Sequence, residues 1–230
     1  MLKHLFKYLL VTLYCIMNFA NLSTAQQPLT YLALGDSYTI GEGVEEKDRY
    51  PAQLVRELNK IGKFQFDTPQ IIAKTGWTVD ELDAGIEASQ TDEHGYDLVT
   101  LLIGVNNQYR GRPVADYEKD FEAMLQRALV FARGHKDHVV VLSIPDWGVT
   151  PFAVNRKSDQ KKVALEIDAY NQAKKAICDR YGVVFIDITT EYRRIGAKTE
   201  MVVEDQLHPS AWVYSQWAEK LLEMVKKIKF

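Results

Sequence analysis

The chain has 230 residues, a formal net charge of −3 at pH 7 and a hydrophobic fraction of 47%. This length and composition fit one globular domain with a sizeable core. The acidic balance and the lack of a dense basic stretch exclude nucleic acid as an expected partner, because binding it requires the neutralisation of a run of phosphates.

The first 25 residues have the pattern of a secretory signal. Lys3 and Lys7 precede an uncharged stretch from Tyr8 to Ala20, and the small residues that end in Ala25 suit signal-peptidase cleavage. We therefore expect a signal peptide at residues 1–25 and a secreted or periplasmic protein without a stable membrane span. An uncleaved N-terminal anchor is the alternative.

The expected mature domain, residues 26–230, keeps only one of the two cysteines. No intrachain disulfide can then form, and the helical spacing around Cys178 predicts a small buried side chain rather than a reactive thiol. Metal-binding patterns such as Cys-x-x-Cys and His-Glu-x-x-His are not found in the sequence. We therefore expect no metal and no cofactor.

Short apolar runs alternate with helical patterns along the mature chain. Five runs predict strands at 31–34, 69–73, 97–103, 139–144 and 183–186. Apolar residues at helical spacing predict five helices: one from Pro51 to Gly62, one from Thr78 to Ile86, one carrying Tyr117 to Leu129, one carrying Val163 to Tyr181, and a last one from Pro209 to Ile228. This alternation is typical of parallel βαβ units, so we predict an α/β fold, a three-layer α/β/α sandwich around a five-stranded parallel sheet.

The first predicted strand ends at Gly35-Asp36-Ser37-Tyr38. Open α/β sheets bind ligands at the carboxyl ends of their strands, so Ser37 lies where a nucleophile would be useful. A plain surface turn is the simpler interpretation, since Asp and Ser bond their own backbone in turns. A nucleophilic serine also needs a base and oxyanion donors from elsewhere in the chain.

Other strand ends supply residues of the required types. Gly76 follows the second strand at a turn into a helix, where backbone N–H groups point outward. Asn106 follows the third strand and can donate a side-chain N–H, although both positions can also be ordinary turn residues. Asp205 and His208 stand three residues apart before the last helix, a spacing that lets the carboxylate accept from Nδ1 while Nε2 faces outward.

In this order the four segments resemble the blocks of the SGNH hydrolases, the GDSL-type esterases and lipases, over most of the mature chain. Gly35-Asp36-Ser37-Tyr38 matches the first block with Tyr38 in place of leucine, and Gly76 falls at the second. Gly104-Val105-Asn106-Asn107 matches the third block, except that Asn107 replaces the usual aspartate. Asp205-Gln206-Leu207-His208 is the last block unaltered.

The resemblance implies a flavodoxin-like SGNH hydrolase fold and a serine esterase. In that family pattern Ser37 is the nucleophile, His208 is the general base and then the acid, and Asp205 orients His208. The implied oxyanion donors are the backbone N–H groups of Ser37 and Gly76 and the side chain of Asn106.

The predicted function is hydrolysis of carboxylic esters, with acetylated carbohydrate and small acyl esters as the leading substrates. The expected partner is therefore a small-molecule or polymeric ester, and the sequence leaves lysophospholipid and thioester substrates and the oligomeric state open. Four aromatic residues near the blocks can line an acyl slot or stack on a sugar: Trp77, Tyr109, Trp147 and Phe152.

Two other classes of protein compete with an esterase. One is a catalytically silent module that binds a glycan or lipid on the same fold, against which the intact Ser37, Asp205 and His208 speak. The other is a flavodoxin-like cofactor or phosphate binder, since a fold alone does not give function. The Gly-rich cradle that such a binder needs is missing from the sequence.

Overall fold

A five-stranded parallel sheet forms the middle layer of the protein in the computed structural model, which describes residues 27–91 and 95–230. Its strands are β1 Tyr31–Gly35, β2 Gln70–Ala73, β3 Leu98–Leu102, β4 Val139–Leu142 and β5 Val184–Ile186. The strand order is β2-β1-β3-β4-β5. From β1 the chain first adds a strand on one side, β2, and then continues on the other side with β3. A crevice for a ligand is expected at such a switch point, above the carboxyl ends of β1 and β3.

Five longer helices cover the two faces of the sheet. They are α2 Tyr50–Ile61, α3 Val79–Ser89, α5 Val114–Phe131, α7 Gln160–Tyr181 and α9 Ala211–Val225. The connection from β1 to β2 runs in one direction along the sheet, and the three later connections between strands run in the other direction. Because such connections are right-handed, α2 lies on one face of the sheet and α3, α5 and α7 lie on the other face. Helix α9 packs on α2 and completes that layer.

The predicted three-layer α/β/α sandwich with a five-stranded parallel sheet is confirmed. The central strands β1, β3 and β4 are buried along their whole length, which is typical of continuous apolar runs in a parallel sheet. Cys178 lies fully buried on α7, as expected for a small apolar side chain. The predicted signal peptide at residues 1–25 lies outside the described residues.

Four short helices were not predicted: α1 Ser37–Ile40, α4 Val105–Tyr109, α6 Pro151–Asn155 and α8 Thr189–Ile195. The start of the last helix was also predicted wrongly. Pro209 pairs with Val202 in an isolated antiparallel bridge, and the Ser210 N–H donates to the carbonyl oxygen of Met201 at 2.9 Å. These bonds hold the segment extended, so the helix begins only at Ala211.

The described residues include no helix that is both long enough and apolar enough to cross a membrane.

Candidate active site

Ser37 is the first residue of α1, directly above the carboxyl end of β1. The Asp36 side chain caps this short helix by accepting a hydrogen bond from the Tyr38 N–H at 3.0 Å. Gly35 allows β1 and β3 to approach closely at this point, because a Cβ there would lie 2.3 Å from the carbonyl oxygen of Leu102. Ser37 is 5% exposed, and it lines the cleft above the sheet.

The turns that follow β2 and β3 meet beside Ser37. Gly76 has a φ of +87°, in the left-handed region that favours glycine. Asn106, on α4, donates from Nδ2 to the carbonyl oxygen of Trp77 at 3.0 Å. This bond fixes the amide of Asn106 against the turn that carries Gly76, so the two predicted donors form one unit.

Arg110 also contacts this turn, and its role is not predicted by the sequence. Its Nη2 donates to the carbonyl oxygen of Gly76 at 2.6 Å and its Nη1 donates to Glu81 Oε1 at 3.0 Å. Helix α4 ends at the preceding residue, so the side chain ties the two turns together from outside. A half-exposed arginine in a long loop gives no signal of such a contact in the sequence.

Asp205 and His208 form a compact pair in the loop before α9. Oδ2 of Asp205 lies 2.5 Å from Nδ1 of His208, and Oδ1 accepts from the backbone N–H groups of Leu207 and His208 at 2.8 and 2.9 Å. Partial burial raises the pKa of Asp205, but these hydrogen bonds outweigh burial and leave its pKa below the ordinary value. The imidazole is therefore held by a charged carboxylate, and its Nε2 is left for the cleft.

Tyr38, which stands at the leucine position of the first block, packs its ring edge-on against His208. The ring centroids are 5.6 Å apart, with 62° between the planes. Since His208 is only 7% exposed, the carboxylate on one side and the tyrosine on another restrict the motion of its ring.

One cleft of about 200 Å³ is lined by Ser37, Gly76, Asn106 and His208 together. The cleft is also lined by Tyr109, Trp147 and Phe152, three of the four aromatic residues for which the sequence predicts substrate contacts. The remaining lining residues were not predicted: Tyr38, Thr75, Val105 and Leu207.

Trp77 differs from the other three predicted aromatic residues, because it is not among the residues that line the cleft. Its indole covers Gly85 of α3, where a Cβ would lie 2.1 Å from the indole ring. The side chain therefore packs on the core, and the prediction that it lines the substrate slot is not supported by its position.

The sequence from residue 33 to residue 215 matches the model of a protein family described as GDSL-like Lipase/Acylhydrolase. The chain belongs to this family. Membership supports a hydrolase that acts on esters, in agreement with the resemblance seen in the sequence. The search of curated proteins finds no match.

Solved structures share the fold of this GDSL-like hydrolase. TesA aligns with a TM-score of 0.66 at 20% identity, over 86% of this chain and 98% of TesA. An acetyl xylan esterase, AlAXEase, aligns with a TM-score of 0.67 at 18% identity, over 86% of this chain and 100% of that chain. A lipase/acylhydrolase from Enterococcus faecalis has a TM-score of 0.66 at 16% identity, over 86% and 95% of the two chains. These similarities show a common architecture.

Asn107 stands where the resemblance to the family leads one to expect aspartate. Its Oδ1 accepts from the N–H of Val79, the first residue of α3, at 3.1 Å, and its side chain is fully buried. Its Nδ2 has no hydrogen-bond partner among the described residues. The acceptor role that an aspartate would play is thus kept, at the cost of one buried amide N–H group without a partner.

Trp147 forms a fixed wall of the cleft. Its Nε1 donates to Gln108 Oε1 at 2.8 Å, and Gln108 Nε2 donates to Glu166 Oε2 at 2.7 Å. Its ring also meets Tyr109 and Phe152 at centroid distances of 5.2 and 6.3 Å. Both hydrogen bonds and ring contacts therefore hold this wall in place.

A second cluster of ligand-type side chains lies at the other end of the sheet. The ligand atoms of His135, Asp137 and His138 lie within 4.8 Å of one another, just before β4 begins. The two imidazole rings stack with 24° between their planes, whereas ligation of one ion through ring nitrogens requires the ion to lie in both planes. The cluster therefore does not fit a shared metal ion as it stands, and it is remote from the cleft at the carboxyl ends.

Proposed function

We propose that this protein is a secreted serine esterase that cleaves carboxylic esters through an acyl-enzyme on Ser37. The observation that carries this proposal is the cleft that Ser37, Gly76, Asn106 and His208 line together, with Asp205 bonded to the inner nitrogen of His208. A hydroxyl near an oriented imidazole and several N–H donors is the arrangement that acyl transfer requires.

In the proposed reaction, Ser37 Oγ bonds to the ester carbonyl carbon while His208 Nε2 takes its proton. The negative charge on the carbonyl oxygen is stabilised by the Ser37 and Gly76 N–H groups and by Asn106 Nδ2. The bond to the alcohol then breaks, and the alcohol leaves with the proton from His208. His208 then takes a proton from water as the water oxygen attacks the acyl carbon. The bond from this carbon to Ser37 Oγ breaks, the acid leaves, and His208 returns the proton to Oγ.

Asp205 keeps the proton of His208 on Nδ1 and stabilises the imidazolium that forms during the attack. Its lowered pKa supports this role, because the carboxylate stays charged over the whole neutral range. Two backbone N–H groups hold its other oxygen, so the carboxylate does not turn away from the ring.

Acetyl and other short acyl esters, including those of carbohydrates, are the proposed substrates. The small cleft, the fixed Trp147 wall and the aromatic rings of Tyr109 and Phe152 support a short acyl group and an alcohol that can stack on rings. An acetyl xylan esterase of the same fold agrees with this choice. The pattern of residues 1–25 supports secretion.

The test is labelling with a fluorophosphonate, which reacts with activated serines, followed by mass spectrometry of the adduct. We expect the adduct on Ser37, no labelling of Ser37→Ala, and normal labelling of Ser89→Ala, a change at an exposed serine. An adduct elsewhere would place the nucleophile on another residue, and no adduct would leave a silent binding module as the better description. Acetyl, butyryl, octanoyl and palmitoyl esters and acetylated xylo-oligosaccharides, assayed side by side, then define the substrate.

A further inference from the structure

A lysine lies completely buried beneath the cleft. Lys174, on α7, has no exposed surface, and its Nζ donates to the carbonyl oxygens of Ile103 and Leu142 at 2.9 and 3.0 Å. The ammonium group also lies over the ring of Phe121, 5.4 Å from the centroid. The side chain thus connects the carboxyl ends of β3 and β4.

Both carbonyls belong to segments that lead into the cleft. Ile103 comes directly after β3 and three residues before Asn106. Leu142 is the last residue of β4, on the segment that leads to Trp147. Lys174 therefore bridges the strand end that leads to a candidate oxyanion donor and the strand end that leads to the wall.

A neighbouring residue on the same face of α7 holds this edge in a similar way. Asn171 accepts from the Ile144 N–H at 2.7 Å and donates to the Ile144 carbonyl oxygen at 3.0 Å. Asn171 and Lys174 are three residues apart, so they lie one turn apart on the helix. Together they bind the backbone at the end of β4 through three hydrogen bonds.

The buried surroundings of Lys174 make its positive charge unfavourable for the stability of the fold. Three titratable groups face it: Asp36 from the turn after β1, Cys178 from α7, and Tyr117 from α5, whose hydroxyl donates to the Ile103 carbonyl oxygen at 3.4 Å. Burial lowers the pKa of Lys174 to about 7 and raises that of Asp36 to about 7. No direct ion pair forms between them in the described part of the chain, and Asp36 Oδ2 lacks a hydrogen-bond partner there. Replacement of the amine by an apolar side chain of similar length loses the two carbonyl hydrogen bonds but also removes the cost of burying a charge, so we expect a small net loss of stability.

We propose that Lys174 is a positioning residue, which holds the turn with Asn106 and the wall with Trp147 at their working separation. This proposal rests on the proposed function of the cleft. The two hydrogen bonds do not depend on charge, since a neutral amine also carries two N–H donors. Displacing a catalytic group by about 1 Å is enough to lower a rate about 100-fold, so a modest shift of the turn would be measurable.

The experiment compares Lys174→Met with Lys175→Met. Lys175 is the next residue on the same helix, is exposed and pairs with Asp179 at 2.7 Å, so it serves as the matched control. We expect Lys174→Met to keep its melting temperature to within about 4 °C of the wild type. We also expect its kcat on an acetyl ester to fall at least about 10-fold with KM little changed, because a turn that is mispositioned affects the transition state most. Lys175→Met should match the wild type in both.

A double-mutant cycle with Asn106→Ala identifies the route of the effect. If Lys174 acts through the turn with Asn106, Lys174→Met should cost much less kcat in the Asn106→Ala background than in the wild type. Equal losses in both backgrounds, or an unchanged kcat in the single variant, would overturn the proposal. A melting temperature that falls in parallel with activity would also overturn it, because it would indicate a merely structural role.

A variant that does not fold is also informative. If Lys174→Met is not folded, Lys174→Gln is measured in the same way, because its amide keeps N–H donors without the charge. Failure of both to fold, with Lys175→Met folded, would contradict the claim that the fold survives without Lys174. An inactive and unlabelled wild-type enzyme would instead refute the proposed function, so the two failures are distinguishable.

Discussion

Replacing Asn106 and Asn107 one at a time by alanine shows which of the two neighbouring side chains serves the reaction. One N–H of the Asn106 amide is used by the Trp77 carbonyl oxygen at 3.0 Å, which leaves the other for the cleft that Asn106 lines. The removal of one oxyanion donor lowers kcat by about 10² to 10³, or about 2.7 to 4 kcal/mol. KM should change little, because the donor bonds the oxyanion more strongly than the substrate carbonyl.

The loss of stability should be at least as large for Asn107→Ala as for Asn106→Ala, whereas the loss of kcat should be larger for Asn106→Ala. Asn106→Ala removes one hydrogen bond at a half-buried site, about 1 kcal/mol, which is about 2 to 4 °C in melting temperature for a domain of this size. Asn107→Ala leaves the Val79 N–H at the start of α3 without its acceptor in a fully buried place, a cost of about 1 to 3 kcal/mol. It also removes the unpartnered Nδ2, which offsets part of that cost.

The assay is steady-state kinetics on a short acyl ester together with thermal denaturation of both variants. We expect Asn106→Ala to lose at least about 10-fold more kcat than Asn107→Ala, and Asn107→Ala to lose at least as much melting temperature. Equal kinetic losses, or a larger loss at Asn107, would refute the assignment of the oxyanion donor to Asn106.

Three further predictions concern the carboxylate of Asp205, the buried Lys174 and the Trp147 wall. Asp205→Asn should lower kcat by about 10⁴. Because folding lowers the pKa of Asp205, its charged carboxylate stabilises the fold above about pH 4, and this contribution is lost as the pH falls. The free energy of unfolding, measured as a function of pH in the acid range, should therefore show this loss in the wild type and not in the variant. Burial lowers the pKa of Lys174 to about 7, so the unfolded chain binds more protons above that pH, and the wild-type free energy of unfolding should rise from about pH 7 to about pH 9 relative to Lys174→Met in urea denaturation. Trp147→Ala should raise kcat/KM for an octanoyl ester relative to an acetyl ester by at least about 10-fold, and an unchanged ratio in the folded variant would remove Trp147 from the acyl site.

The sheet and the long helices could be predicted because their signals are local. The central strands are short apolar runs that end in turn residues, and α2 and α7 both end at glycines with positive φ, Gly62 and Gly182. The short helices α1 and α4 could not be predicted, since four or five residues do not show a helical period. Tertiary hydrogen bonds, such as the one from Val79 to Asn107, hold the region of α4 in place.

The direction of individual side chains depends on distant parts of the chain. Trp77 packs away from the cleft because Gly85, nearly two turns into α3, leaves room for its indole. A glycine inside a predicted helix was the one sequence signal of that packing. Lys174 gave a similar signal, because it interrupts the apolar stripe of α7 between Tyr170 and Ile177 at helical spacing. A lysine on an apolar stripe is either solvated or buried with backbone partners, and only the structure distinguishes the two.

The placement of the Asp205 and His208 pair follows from the topology of the sheet. The candidate nucleophile and the candidate oxyanion donors come from β1 and its two neighbours, β2 and β3, whereas the last strand, β5, lies two positions beyond β3. Among the five strands of the described residues, the ends nearest the switch point are thus already used, and the candidate base comes from a loop that returns to them. Because Asp205 also holds the backbone N–H groups of Leu207 and His208, the loop sets the carboxylate–imidazole geometry by itself.

The returning loop then needs only to dock at the right place. The Phe152 N–H donates to the Gln206 carbonyl oxygen at 3.0 Å, and the Tyr192 hydroxyl donates to that of Leu207 at 3.2 Å. The first contact ties the loop to the same segment that supplies a wall of the cleft, so the candidate base and that wall move together. The relative position of Asp205 and His208 is therefore independent of the sheet, whereas the distance from His208 to Ser37 depends on how the loop docks, through these two contacts and through the packing of His208 on Tyr38.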